Sequence, residues 1–246
     1  MKPSESLSFF MFVYDEPIEM VKKCVGAFVQ SLTKPIMPSL SIINNHPGWV
    51  PPHDLYQSIF YPKLRFKNNV LNQSQARNWN QATRLTLLDE KEWCGIIAPD
   101  TIAKPGWLEA ADEDAEKGLH LIGHLNFSVF RADTIRKLGW FDERMVSGGS
   151  EDLDMYLRFE EAGIPFSRES FSGRNLEKRG GGNQYRDTNE KVAQFRVDCE
   201  YWLKKWRKDK NKMPSSDQIY FHPENRQRNW PEIDFYPPVL DRDAYR

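Results

Sequence analysis

The chain has 246 residues, with 34 Lys plus Arg against 35 Asp plus Glu and a formal net charge of −1 at pH 7. That balance gives no bulk attraction for nucleic acid, and the length suits one large domain, or a domain with an extension, with ample chain to bury a core. Three scattered cysteines, Cys24, Cys94 and Cys199, form neither a zinc spacing nor a disulfide framework, which points to a reducing, cytoplasmic compartment.

The run Leu7 to Tyr14 is continuously apolar, which predicts a central strand of a parallel sheet. It carries no basic flank or cleavage site of signal-peptide type, and no stretch approaches the ~20 apolar residues of a membrane span. Asp15-Glu16-Pro17 ends the strand, and Pro17 suits the first turn of a helix. Ile18, Met20, Val21, Val25 and Val29 give that helix an apolar face. A second strand, Leu40 to Ile43, ends in Asn44 and Asn45. Strand, helix, strand implies a right-handed βαβ crossover, with ligands beyond the carboxyl ends of the strands. Tyr14, Asp15, Asn44 and Asn45 lie at those ends, although plain turn chemistry explains the two asparagines equally well.

Gly48 to Pro62, rich in proline and aromatic residues, reads as an irregular connection, and Leu64 to Phe66 as a short strand. Asn69 to Ala82 opens a helix that carries Arg77. Trp93 to Ile97 is a hydrophobic strand running on to an acid, Asp100. Leu119 to Phe130 reads as one strand bent at Gly123, in which His120 and His124 are structural. Gly148 and Gly149 form a turn predicted to be mobile, and Glu151, Asp152 and Asp154 follow at a helix start, near the positive end of its dipole. A carboxylate there serves either as an ordinary N-cap or as a general base on a hydroxyl group. Asn175 to Asn183 is a glycine-rich loop carrying Lys178 and Arg179. Asp187 to Arg207 reads as a helix with Val192, Phe195, Cys199, Trp202 and Trp206 along one face. The tail from Pro214 is expected to wrap the domain or to make a homo-oligomer contact, and its His222 is an outlying metal-ligand candidate.

Gly139-Trp140-Phe141-Asp142-Glu143, followed by Gly148-Gly149-Ser150-Glu151-Asp152-Leu153-Asp154, then Arg158 and Gly163, resembles the acceptor-side signature of family-2 glycosyltransferases with the GT-A fold. There G-W-F-D-E precedes G-G-x-E-D-x-D-x-x-x-R and a glycine closes the helix. Other pieces agree. Ile42 to Asn45 is similar to the family's V-V-D-N turn, with Asn44 in place of the aspartate that meets the nucleotide base. Ala76, Arg77, Asn78 and Ala82 match the helix start N-x-G-x-x-x-A-R-N-x-G-x-x-x-A, although both glycines are replaced. Asp100 to Leu108 resembles D-T-x-x-x-P-G-W-L, and Tyr201 to Trp206 the terminal Y-x-x-K-W. The resemblance runs in pieces from Leu7 to Trp206.

It implies an α/β, Rossmann-like GT-A domain over residues 1–210, with a mostly parallel central sheet flanked by helices, and a helical and irregular extension over 211–246. It implies an inverting hexosyltransferase that moves a sugar from a nucleotide-diphosphate sugar to a hydroxyl of a glycan or glycoconjugate. In that reading Asp152 is the base and Glu151 orients the acceptor; spacing alone leaves the choice between the two acids open. Tyr14, Asp15, Asn44 and Arg77 hold the nucleotide, an arginine being suited to bidentate phosphate contacts, while a solvated helix arginine is the plainer alternative. Asp100 holds Mn²⁺ or Mg²⁺ against the diphosphate. Lys178 and Arg179 either close over the diphosphate or belong to a solvated linker.

The sequence departs from the family at Ala98, where the first acid of a D-x-D metal motif belongs, and it lacks the histidine many members carry in the late loop. Two rival readings remain. Ala98 favours a non-catalytic sugar- or nucleotide-binding module. A sugar nucleotidyltransferase would want a glycine-rich phosphate loop after the first strand, where Tyr14-Asp15-Glu16-Pro17 stands instead.

Overall fold

The structure, a computed structural model, describes residues 1–14, 16–32, 38–46, 63–69, 73–124, 127–146, 150–168, 176–178, 189–209 and 211–229. Strands β1 (Leu7–Val13), β2 (Ser39–Asn44), β3 (Leu64–Asn68), β4 (Trp93–Ile97), β6 (Leu121–His124) and β7 (Phe127–Arg131) form one sheet in the order β3-β2-β1-β4-β7-β6. The pairings among β3, β2, β1 and β4 are parallel, and those of β7 with β4 and β6 are antiparallel. β5 (Thr101–Ala103) and β8 (Leu176–Lys178) make a second, two-stranded antiparallel sheet. The described α-helices are α1 (Ile18–Gln30), α2 (Gln75–Leu88), α3 (Trp107–Glu116), α4 (Ala132–Leu138), α5 (Glu151–Glu161), α6 (Asn189–Trp206) and α7 (Ser216–Tyr220). This is the expected α/β architecture, a six-stranded, mostly parallel sheet flanked by helices. No helix among the described residues is long and apolar enough to cross a membrane.

Contacts divide the chain into two compact units. The first comprises Met1–Gln73, Asn78–Trp140 and Phe159–Asn183, and the second Ser74–Arg77, Phe141–Arg158 and Gln184–Arg246. In the first unit β1 is buried nearly throughout, as its unbroken apolar run requires of a strand covered on both faces. Phe9 of β1 anchors an aromatic cluster, with ring centroids 4.9 Å from Phe28, 5.4 Å from Trp107 and 5.3 Å from Phe127. Such pairs add about 0.5–1.5 kcal/mol each beyond their area burial. The buried Trp107 indole is satisfied, donating to Ser31 Oγ at 2.8 Å. α1 buries Val21, Cys24, Val25 and Phe28, a stripe shifted from the expected one, which leaves Ile18 exposed.

Two local expectations need correction. Leu119 to Phe130 is not one bent strand: β6 and β7 pair antiparallel, with Gly123 opposite Ser128. Gly123 reads in sequence as a bend, and a bend and a reversal carry the same mark there. Leu176–Lys178, expected within a loop, instead pair with β5 as β8.

In the second unit, Met145, Leu157, Tyr201, Trp202, Trp206 and Ile219 make a core. Ile219 belongs to α7, whose start is fixed by reciprocal hydrogen bonds between Ser215 and Gln218. The buried face of α6 is not the purely apolar stripe expected. Asp198 and Lys205 are buried on it alongside Tyr201, Trp202 and Trp206, whereas Phe195 is exposed and the side chain of Val192 lies outside the described residues.

Candidate functional site

In the first unit, the carboxyl ends of β1, β2 and β4 bring several of the singled-out residues to one sheet edge. Val13 pairs with Asn44, so Tyr14 and Asn45 follow on adjacent strands. Met11 pairs with Ile97, so Tyr14 and Asp100 each lie three residues past the same rung. The edge of the Tyr14 ring meets His46 with centroids 5.0 Å apart at 89°, and both residues are half-buried. Asn44 Oδ1 accepts the His46 amide at 2.8 Å, while Nδ2 donates to the His46 carbonyl at 2.8 Å and to Asn68 Oδ1 at 3.2 Å. Asn44 is thus engaged as a turn residue, with both amide protons used inside the fold. Beside it Asn45 donates to Asn78 Oδ1 at 3.0 Å and accepts from Asn69 at 2.6 Å, and Asn69 exchanges hydrogen bonds with Gln81.

Asp100 sits in the turn between β4 and β5, closed by the Thr101 amide donating to the Ala98 carbonyl at 3.0 Å. The Cys24 thiol donates to the Thr101 carbonyl at 2.8 Å and approaches that of Ala98 at 3.5 Å. Burial, and then the Asp100 charge, push the Cys24 thiol far above the ordinary cysteine range, so it stays a donor. Asp100 itself is only 7% exposed, yet it accepts no hydrogen bond and makes no ion pair among the described residues. A carboxylate at this sheet edge with no basic partner among the described residues suits a hard cation, which takes oxygen ligands. Ala98 offers no side-chain ligand, and no group of three His, Cys, Asp or Glu that could hold a metal occurs among the described residues. A cation here would take one protein oxygen and fill its shell from phosphate and water.

In the second unit the three acids opening α5 have different environments. Ser150 precedes them at φ 72°, and its carbonyl accepts the Asp154 amide at 2.9 Å. Glu151 is 2% exposed. Asp154 is wholly buried; it takes Lys205 Nζ at 2.6 Å, Arg158 at 2.6 Å and the Trp206 indole N–H at 2.8 Å. Asp152 is half-buried. Its Oδ1 accepts the Leu153 amide at 2.8 Å, and its Oδ2 has no protein partner among the described residues. At ~100° per residue Asp152 points about 200° away from Asp154 around the helix, so locking one acid inward leaves the other outward.

The same cluster holds Asp142, which Arg144 grips through Nε at 2.8 Å and a second nitrogen at 2.9 Å, with Tyr201 donating at 2.9 Å and Lys205 Nζ at 2.8 Å. Burial alone would raise the pKa of Asp142. The Lys205 ammonium and the Arg144 guanidinium reverse this and hold it far below the usual carboxylate range. For Asp154, burial is likewise outweighed, by Arg158 and Lys205, and its pKa is lowered. Asp142, Asp154, Tyr201 and Lys205, unassigned by sequence reasoning, thus form a buried ionic cluster. The available signal was the helical spacing of Asp154 with Arg158 and of Tyr201 with Lys205, four residues apart on one face.

Arg77, whose amide donates to Ser74 Oγ at 3.3 Å, pairs through Nε with Glu143 at 3.3 Å. His120 is structural, its Nδ1 2.8 Å from Thr134 Oγ1, and burial followed by the Lys137 charge lowers its pKa. His222 is exposed beside Glu224. Lys178 is placed by its backbone opposite Thr101. Asp15, Gly148, Gly149 and Arg179, the connection 47–62, the last residues of the tail and the side chains of Lys178 and His124 lie outside the described residues.

No family model matches the chain, and no curated protein does. By contrast, 274 chains of solved structures match, so the fold likeness does not rest on a single comparison. One is a mannosyltransferase from Pyrobaculum calidifontis solved in complex with GDP-Man and Mn²⁺, at a TM-score of 0.56 and 11% identity, covering 67% of this chain and 55% of that one. The chain thus spans about half the length of that protein. At this identity the likeness is one of fold: the chain has a glycosyltransferase fold.

Proposed function

We propose that the protein is a family-2-like, inverting GT-A glycosyltransferase that moves a hexose from a nucleotide-diphosphate sugar to a hydroxyl acceptor in glycan synthesis. The observation that carries this reading is the unequal treatment of the three acids of α5. Asp154 is neutralised inside the fold, Glu151 is buried, and Asp152 keeps a carboxylate oxygen without a protein partner among the described residues. A general base needs such an oxygen within reach of the proton it removes. The fold likeness to a protein holding GDP-Man and Mn²⁺ supports the donor class.

In this mechanism Asp152 takes the proton of the acceptor hydroxyl. The acceptor oxygen bonds to the anomeric carbon as the bond from that carbon to the diphosphate breaks, which inverts the centre. Glu151 orients the acceptor. At the sheet edge Tyr14, with His46 against its ring, gives the nucleotide base an aromatic contact, and Asn44 is assigned to the nucleotide by its place at the end of β2. Arg77 shares its guanidinium between Glu143 and a donor phosphate or ribose. Asp15, Lys178 and Arg179 are assigned to the donor by their places in the chain. Asp100 would hold Mn²⁺ or Mg²⁺, which when bound would neutralise charge on the diphosphate.

A second reading, a binding module without catalysis, is favoured by Ala98, which leaves Asp100 as the sole acid of the expected metal motif. Release of nucleoside diphosphate from GDP-mannose, UDP-glucose and UDP-N-acetylglucosamine, with Mn²⁺ and with acceptor glycans, separates the two. Acceptor-dependent release is expected. Donor binding without release would establish the binding module, and neither binding nor release would overturn both.

A further inference from the structure

The reading of Asp152 as the base leaves open what holds it in place. Arg158 lies on the same helix as Asp154, four residues on, so their ion pair cannot fix α5 against anything else. The pair of Arg144 with Asp142, two residues away, is equally local, although the Arg144 guanidinium also lies over the Tyr201 ring of α6 at 5.1 Å. The contacts that tie these aspartates to another element come from α6: Tyr201 to Asp142, Trp206 to Asp154, and Lys205 to both. Lys205 is 1% exposed. Its compact ammonium has three donors and spends at least two on the two carboxylates.

We infer that Lys205 is a positioning residue for Asp152: by bridging Asp142 and Asp154 it sets the rotation of α5 about its axis, and with it the direction of the Asp152 carboxylate. The inference rests on the proposed base role. Its physical basis is the charge arithmetic of a buried site. Without the ammonium, Asp142 and Asp154 keep only their local arginines and lose the cation they share, and the Asp142 charge already raises the cost of ionising Asp154. The tie between the Asp142 stretch and the first turn of α5 would then be lost. Because Asp152 and Asp154 share one rigid turn, movement of Asp154 moves Asp152. α6 therefore belongs to the machinery that aims the base.

The test compares Lys205→Met, which keeps most of the stem, with Lys205→Arg, Trp206→Phe and a control, Ile219→Val. The control thins the same core without touching either carboxylate. Two readouts are taken on the whole chain: hydrogen exchange of the 152–154 amides, with that of Trp202 as internal reference, and kcat and KM for release of nucleoside diphosphate from the three nucleotide sugars named above. Lys205→Met should speed exchange at 152–154 without speeding Trp202. It should lower kcat by about 10²-fold, the scale of a misplaced catalytic group, and leave the donor KM unchanged. Lys205→Arg should restore part of the rate, and Ile219→Val should alter neither readout. If Lys205→Met does not fold, Trp206→Phe, which removes one α6 donor to Asp154, should shift both readouts the same way by less. Unchanged exchange at 152–154 in the folded variants overturns the inference, as does an equal loss of rate in Ile219→Val. If the wild type cleaves none of the sugars, the base reading fails on its own, and exchange still decides whether Lys205 sets the start of α5.

Discussion

A single methyl group at Gly95 should be among the most disruptive small changes in the first unit. Gly95 of β4 pairs directly with Phe9 of β1, whose ring lies over it. A Cβ at Gly95 would stand 2.3 Å from Phe9 Cε2, 2.4 Å from Cδ2 and 2.8 Å from Cζ. Carbon atoms settle at about 3.5–4.0 Å, so ring and strand must part by more than about 1 Å. The ring cannot swing away, because Phe28, Trp107 and Phe127 pack around it. Overpacking of this kind costs about 1–3 kcal/mol, and the upper part of that range applies to a ring hemmed on three sides. Replacing glycine in a strand returns roughly 0.5–1 kcal/mol of backbone entropy. The net loss is then about 2 kcal/mol, or about 4–8 °C in Tm for a chain of this size. Thermal unfolding of Gly95→Ala, with Phe9→Leu and the double variant, is the assay. Phe9→Leu removes the colliding edge, so the double variant should lose less than the sum of the singles. A Gly95→Ala protein as stable as wild type, or strict additivity, would refute the packing argument. Because β1 and β4 carry Tyr14 and Asp100 at their ends, the single variant should also weaken GDP-mannose binding.

Asp152→Asn keeps the shape and a polar group at the helix start, so circular dichroism should be unchanged while sugar transfer falls about 10²–10⁴-fold and donor binding persists; near-normal turnover would move the base role, first to Glu151. Asp100→Asn should weaken donor binding measured with Mn²⁺ while leaving metal-free binding alone, and equal affinities with Mn²⁺ would remove the metal role. The second unit should lose stability in acid. Asp142 and Asp154 have folded pKa values lowered from the ordinary 3.8, so their contribution is fully present above that value and is lost as pH falls below it toward the folded values. Urea midpoints that do not drop between pH 5 and pH 3 would contradict this assignment.

The sequence was most informative where one element declares itself. The apolar run of β1 could only be a covered strand, and the closing Gly163, at φ 63°, stands where α5 ends. It was least informative where distant residues cooperate. Lys205 is one of two adjacent lysines near the end of α6, and only the fold sets it between Asp142 and Asp154. Cys24 stands in sequence only as one of three scattered cysteines; the fold brings its thiol to the turn bearing Asp100. The three acids after Ser150 are alike in sequence, and the difference between them arises from the partners α6 supplies to Asp154. β6 and β7 merge in the sequence because Gly123 reads there as a bend within one strand rather than as the mark of a reversal.

The amide network at the ends of β2 and β3 has a directional consequence. Asn45 donates to the oxygen of Asn78 and accepts from Asn69, which in turn exchanges bonds with Gln81, so each amide must face one way for the next to be satisfied. A carboxylate at Asn45 would set oxygen against oxygen at Asn78 and break the sequence of donors and acceptors. None of these side chains takes up or releases a proton across the physiological range. The polarity that these amides present to a ligand is therefore the same in weak acid and weak alkali, and a pH dependence of ligand binding must originate in groups other than these amides.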